Sequence, residues 1–249
     1  MGEVGPGKYI VRAGWDDVPH LDEETKKELY ESTPPYLRDA RARGEPGLGA
    51  GAIYPLAIEE IQCAPMPIPP YWPRCYALDP AWNRTAALWG ALDRENDTWY
   101  LYTEHYRGQA EPSIHATAIK ARGEWIPGII DPAARGRSQE DGKRLIDSYR
   151  NLGLKLTEAK NAVDAGLWEV WERLSTGRLK AFSSLQKFEA EYRLYRRDED
   201  GKVVKKDDHL MDCMRYLVMT GKGVAKVKPV ERKLMGAGSA AGGDPIVNY

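Results

Sequence analysis

The stretch RCYALDPAWNRTAALWGALDRENDTWYLYTEHYR, residues 74–107, decides how the fold is read. RCYALD is a short apolar run ending in Asp79, and TAALWGALDR and TWYLYTEHYR are rich in strand formers. Between the last two, Glu95-Asn96-Asp97 has the composition of a hairpin turn. The spacing therefore predicts a three-strand meander. Downstream the period changes. SIHATAIKAR (113–122) reads as a helix and WIPGIIDP (125–132) as a second buried strand, again ending in an aspartate, Asp131. Helical spacing follows in SQEDGKRLIDSYRNLG, closed by Gly153, then a short strand in LKLTEA and a helix in AVDAGLWEVWERLSTG that ends at Gly177. LQKFEAEYRLYR is another helix, RRDEDGKVVKK a charged hairpin around Asp200-Gly201, and DHLMDCMRYLVM an amphipathic closing helix. A meander followed by strand–helix alternation implies an α/β fold, a mixed sheet with helices on its faces.

Around this unit, expected to span residues 73–222, the texture differs. Residues 1–72 hold a charged helical stretch, LDEETKKELY, and a proline-dense run, CAPMPIPPYWP, and read as a linker or wrapping arm. Residues 223–249 decay into a Gly/Ala-rich tail expected to be disordered.

Composition removes several classes. With 36 Lys+Arg against 37 Asp+Glu the formal net charge is -1, which argues against coating nucleic acid by charge alone and leaves room for a local basic groove. The chain has 249 residues, enough for one large domain or one domain with extensions. No run approaches the roughly 18 apolar residues of a membrane span, and the N-terminus does not start a signal peptide. The 3 cysteines, Cys63, Cys75 and Cys213, form no CxxC pair, so a disulfide framework or a cysteine zinc site is not expected. The expected compartment is reducing and cytoplasmic. Tyrosine (14) and tryptophan (8) far outnumber phenylalanine (2), which suits half-wet positions.

Chemistry concentrates in the acids. Asp79 and Asp131 each end an apolar strand and each precede a proline. Open sheets place their sites at the carboxyl ends of strands. Two carboxylates on adjacent strands repel unless a cation such as Mg²⁺ or Mn²⁺ sits between them. Either aspartate alone is equally an ordinary cap or turn former. In KKDDHLMDCMRYL, Asp208 and Asp212 stand i and i+4 and share a helix face, with His209 and Asp207 beside them. An Asp at a helix start is a common cap. Asp212, by contrast, stands mid-helix between Met211 and Cys213, where an unpaired acid gains nothing.

The segments ALDPAWNRTAALWGAL, GIIDPAARGRSQEDG, AKNAVDAGLWEV and DDHLMDCMRYLVM, in that order, resemble the nuclease domain of phage large terminase subunits. The upstream GWDDVPHLDEETKKELYESTPPYLRDARARGEPGLGAGAIYPL is similar to the segment that joins the ATPase to that nuclease. The resemblance covers about residues 8–220. It implies an RNase H-like fold and cutting of concatemeric DNA before and after packaging, largely without sequence specificity. It also implies two Mg²⁺ or Mn²⁺ ions per site, with Asp79 bridging them, Asp131 and the Asp208/Asp212 end completing one each, and no side-chain nucleophile. His209 is an alternative ligand, ranked after the oxygen donors. No GxxxxGK[ST] occurs, so the chain is expected to be a C-terminal piece without the motor and monomeric alone. The expected partners are double-stranded DNA and, in the full motor, the ATPase domain, small subunit and portal, in the host cytoplasm.

Candidate phosphate contacts are Arg135 and Arg137 after Asp131, Lys202, Lys205 and Lys206 before Asp207, and Lys160 after the fifth strand. Trp82 is weighed between stacking on DNA and packing at a rim. His20, His105 and His115 read as surface or packing residues. The rival readings are a resolvase- or transposase-like enzyme of the same superfamily, a non-catalytic docking module, and, more distantly, a nucleotide-binding domain.

Overall fold

The computed structural model describes residues 2–3, 9–10, 14–32, 42, 51–135 and 144–229. The expected meander forms as β2 (Arg74–Asp79), β3 (Thr85–Asp93) and β4 (Thr98–Arg107), all antiparallel. On one side β2 pairs in parallel with β5 (Gly128–Ile130), and β5 with β6 (Leu156–Glu158). On the other side β4 pairs in parallel with β7 (Leu179–Phe182), and β7 with β1 (Gln62–Cys63). The result is a seven-stranded mixed sheet in the order β1-β7-β4-β3-β2-β5-β6.

Two layers of helices cover it. On one face lie α5 (Val163–Ser175), α6 (Gln186–Leu194) and α7 (His209–Val224), over a core that includes Cys75, Ala77, Ala86, Leu88, Trp99 and Ile129. On the other lie α3 (Pro112–Lys120) and α4 (Leu145–Asn151), over Tyr76, Leu78, Ala87, Trp89 and Ile130. Since β3 is covered on both faces, all of its residues are buried and its run reads as continuously apolar.

Two findings correct the expected boundaries. The packed body begins well before residue 73: Ile53, Tyr54, Ile58 and Ile61 are buried in the α5–α7 core, and the short α2 (Ile58–Ile61) leads into β1. The proline run follows these residues and masks them locally, while the strand they complete, β7, lies far along the chain. The body also runs past residue 222, because the main chains of Arg74 and Lys226 bond to each other in both directions. The charged N-terminal stretch forms α1 (Glu23–Ser32). The tail from residue 230 lies outside the described residues.

A bulge between Trp89 and Gly90 shifts the β3–β4 register. Beyond it Glu104 and Tyr106 pair with Leu88 and Ala86, and so face α6 and α7. Both Glu104 oxygens then accept main-chain N–H bonds, from Lys187 and Phe188 at 2.9 Å, satisfying the first turn of α6.

His105 faces the opposite way and meets His115 of α3, Nε2 to Nδ1 at 2.9 Å. His115 Nε2 donates to the Ala110 carbonyl at 3.2 Å, so its Nδ1 is the acceptor and His105 Nε2 the donor. A further proton on the pair would set two N–H groups against each other. Burial, then His115, depress His105 to about 4 from an ordinary 6.5, and burial also lowers His115. A depressed histidine contributes stability that is complete above the unfolded value and is lost as pH falls from about 6.5 toward 4. On the order of 1 kcal/mol, discounted for partial exposure, is expected to disappear between pH 7.5 and 5. Thermal melts should show a shallower acid slope for the His105→Gln/His115→Gln protein than for the native chain.

A candidate metal centre at the carboxyl ends of the sheet

Strand parity places the first two acids. In β2, Cys75 and Ala77 point to the α7 side while Tyr76 and Leu78 point away; in β5, Ile129 points to that side and Ile130 away. Leu78 and Ile130 are partners in the parallel register. Asp79 and Asp131 are the next residues, so both carboxylates emerge side by side on the α7 face, with Asp131 N donating to the Leu78 carbonyl at 3.0 Å. Asp131 also forms a turn, its Oδ1 accepting from Ala133 N at 3.1 Å. Its capping role and its place beside Asp79 are thus compatible.

The third contribution comes from the start of α7. His209 Nδ1 lies 2.7 Å from Asp79 Oδ2, whereas Asp208 turns away and pairs with Lys205 at 3.1 Å. Asp208 occupies the N-cap position without bonding the helix through its side chain. That job falls to Glu191 of α6, buried at 3% exposure, whose Oε2 accepts from Leu210 N at 2.6 Å. The other Glu191 oxygen accepts from the Tyr106 hydroxyl, also at 2.6 Å. Sequence reasoning missed Glu191 and Tyr106, and neither carries a local signal, since each acts on another element.

Asp212 is not the unpaired acid its neighbours in sequence suggested. Its Oδ1 accepts from Arg215 Nε and Nη2, at 3.3 and 2.8 Å, and Lys205 Nζ stands 3.1 Å from its Oδ2. Arg215 is 1% exposed, lies against the Tyr216 ring, and donates from Nη1 to Asn161 Oδ1 at 3.2 Å. Its stem needs the close approach of α5: a Cβ on Gly166 would stand 2.7 Å from Arg215 Cγ and 2.5 Å from Met219 Sδ. Arg215 was also missed, although the i,i+3 spacing of Asp212 and Arg215 is a legible pairing signal.

Electrostatics follow the geometry. Burial raises the Asp79 carboxyl above its ordinary range; the His209 bond and charge oppose the rise, and the Asp131 and Asp212 charges add to it. The bond to Asp79 raises His209, against the effect of burial. Burial pulls Lys205 down, but the Asp212 and Asp208 charges outweigh it and leave its ammonium strengthened. Burial, then Asp212 and Asp131, keep the Tyr216 phenol protonated.

Among the described residues, no group of three or more His, Cys, Asp or Glu side chains is gathered closely enough to hold a metal ion. The donor set nonetheless suits a hard divalent cation: oxygen ligands from Asp79, Asp131 and Asp212, with Asp79 buried beside two like charges. Lys205 and Arg215 each place a positive charge against Asp212.

The remaining expected residues divide. Lys160 N donates to Thr220 Oγ1 of α7 at 3.1 Å, which ties the end of β6 to that helix. Lys202 closes the charged hairpin, its N donating to Asp198 Oδ1 at 2.8 Å, and Lys206 is exposed. Arg135 ends the turn Pro132–Arg135 that follows Asp131, and Arg137 lies outside the described residues.

Comparison with known proteins accords with this geometry. The model of the Terminase RNaseH-like domain family matches residues 76–220. The chain is 30% identical over 233 residues to the large terminase subunit of Salmonella phage P22, and 31% over 211 residues to that of Enterobacteria phage LP7. These matches cover 88% and 80% of the chain but 46% and 44% of the relatives, so it spans under half their length. The solved structure of the P22 large terminase nuclease domain superposes with a TM-score of 0.67 at 28% identity, covering 73% of this chain and 97% of that one.

Proposed function

The chain belongs to the Terminase RNaseH-like domain family, and on that premise we propose that it is a metal-dependent DNA endonuclease that cuts concatemeric viral DNA during genome packaging. The observation that carries this reading is the pairing of Asp79 with Asp131 at the ends of adjacent parallel strands, facing the helix that bears Asp212. A divalent cation held there, Mg²⁺ or Mn²⁺ and two per site by our reading, would polarise the scissile phosphate and acidify an attacking water. The protein's own groups do the positioning. His209 keeps its proton on Nδ1 against Asp79 Oδ2 and fixes the rotamer of that carboxylate. Arg215 holds Asp212 from below, and Glu191 locks the first turn of α7 so that both residues stay aimed at the strand ends.

Because the chain spans under half of its curated relatives, we assign the ATPase, small subunit, portal and host-cytoplasm associations to the whole motor. Residues 1–50 would then form the connection to that motor.

Plasmid cleavage in Mg²⁺, Mn²⁺ or EDTA, run beside the Asp131→Ala protein, tests the reading. Nicking and linearisation that disappear with EDTA and with the substitution support it. A folded protein inactive in both metals would instead favour a docking module. Lys205 supplies a related prediction. Its ammonium sits where a cation would approach Asp212, so Lys205→Ala should tighten Mn²⁺ binding several-fold by calorimetry. Weaker binding would show that Lys205 is not a competitor.

A further inference from the structure

We propose that the loop joining β2 to β3, residues 80–84, is a nucleotide-stacking element that takes up an unpaired base beside the carboxylates, with the Trp82 indole as the platform and Arg84 as the phosphate contact. The inference rests on the nuclease reading and adds a substrate preference to it: DNA whose strands are locally separated.

Three residues after Asp79, Trp82 is 62% exposed, an unfavourable place for the largest apolar side chain. The loop beneath it is fixed. Gln109 N donates to the Trp82 carbonyl at 2.8 Å, and the Thr85 hydroxyl donates to the Ala81 carbonyl at 3.0 Å. Gly108 lies so close under the loop that a Cβ there would stand 2.1 Å from the Asn83 carbonyl oxygen, and Gln109 takes a left-handed φ of 52° to follow it. The main chain is therefore held from beneath while the ring it carries is left in solvent. An indole has only two side-chain torsions to fix, so on a held main chain it binds at little cost in conformational entropy.

Arg84 lies at the other end of the loop, its guanidinium 4.7 Å from the centre of the Tyr106 ring, which in turn abuts His209. Among the described residues no carboxylate forms an ion pair with it. The loop thus offers one aromatic face and one cation without an ion pair among the described residues, next to a site that would act on a phosphodiester. That combination matches a nucleotide, since every base has a face to stack and a phosphate to hold. In a continuous duplex both faces of each base are already stacked, so an indole can take only a base released from its neighbours. A protein partner would account for the exposed ring but not for its place in the loop that leaves the strand ending at Asp79.

Binding of the full chain to fluorescein-labelled DNA, measured by anisotropy with Ca²⁺ in place of catalytic metals, tests this. The ligands are a duplex and the same duplex with a three-nucleotide bubble carrying 2-aminopurine. The native protein should bind the bubble about tenfold more tightly than the paired duplex and quench the 2-aminopurine. Trp82→Ala should remove the preference and the quenching with duplex affinity unchanged, and Trp82→Phe should retain part of both. Arg84→Ala should weaken both ligands alike and reduce the salt dependence by about one phosphate contact. Melting temperatures identify any variant that fails to fold, which an exposed side chain should not cause. Equal affinity for the two ligands, undetectable binding of the bubble, or a preference that survives Trp82→Ala would overturn the proposal. Failure of the nuclease reading is separately visible, as absence of metal-dependent cleavage by the native chain on any DNA.

Discussion

Asp79→Asn is expected to reduce metal-dependent plasmid cleavage by at least about 100-fold, since losing even an outer partner of a metal ligand costs 10–100-fold. The same substitution should leave the melting temperature unchanged or raise it. Burial, with Asp131 and Asp212 nearby, keeps the Asp79 carboxyl above its ordinary range in spite of His209. A carboxyl raised in the folded state binds its proton more tightly there than in the unfolded chain, so its ionisation at neutral pH works against folding. The isosteric amide removes that charge and retains a hydrogen-bonding group opposite His209. Loss of activity with retained or increased stability is the signature of a functional acid. A variant that loses both would mark Asp79 as a structural residue.

Arg215→Ala should have the largest effect on stability. The guanidinium is buried, holds Asp212 through two nitrogens and Asn161 through a third, and packs on Tyr216. Removing one partner of a buried pair leaves the other charge uncompensated, a loss of about 3 kcal/mol. For a body of this size that corresponds to a drop of about 6–12 °C in Tm. Arg215→Met keeps the packed stem and should recover part of the loss, without restoring cleavage, because Asp212 loses both guanidinium bonds to its Oδ1. If Arg215→Ala melts like the native chain, Lys205 alone suffices to hold Asp212.

The two strand-terminal aspartates were legible because strand periodicity is local. An apolar run followed by Asp-Pro marks the end of the strand, whereas the side on which the acid emerges followed only from the helices packed on each face. The short strands Gln62–Cys63 and Leu179–Phe182 were not legible. With two and four residues, they exist because a distant partner saturates their main chain, and no stretch of sequence carries that information.

The start of α7 separates the two kinds of knowledge most sharply. By itself the sequence determined that Asp208, His209 and Asp212 cluster at one helix start, because helical spacing is a property of neighbouring residues; that this helix start lies by the strand ends was implied only by the resemblance. It ranked Asp208 ahead of His209. That ranking concerned metal ligands; tertiary structure decides a different matter, placing His209 and not Asp208 against Asp79. Successive residues differ by about 100° around a helix axis, so a modest rotation decides which of two neighbours faces the sheet. That rotation is set by groups remote in the chain: Glu191, which fixes the Leu210 amide, and Asn161 with Gly166, which admit and hold Arg215.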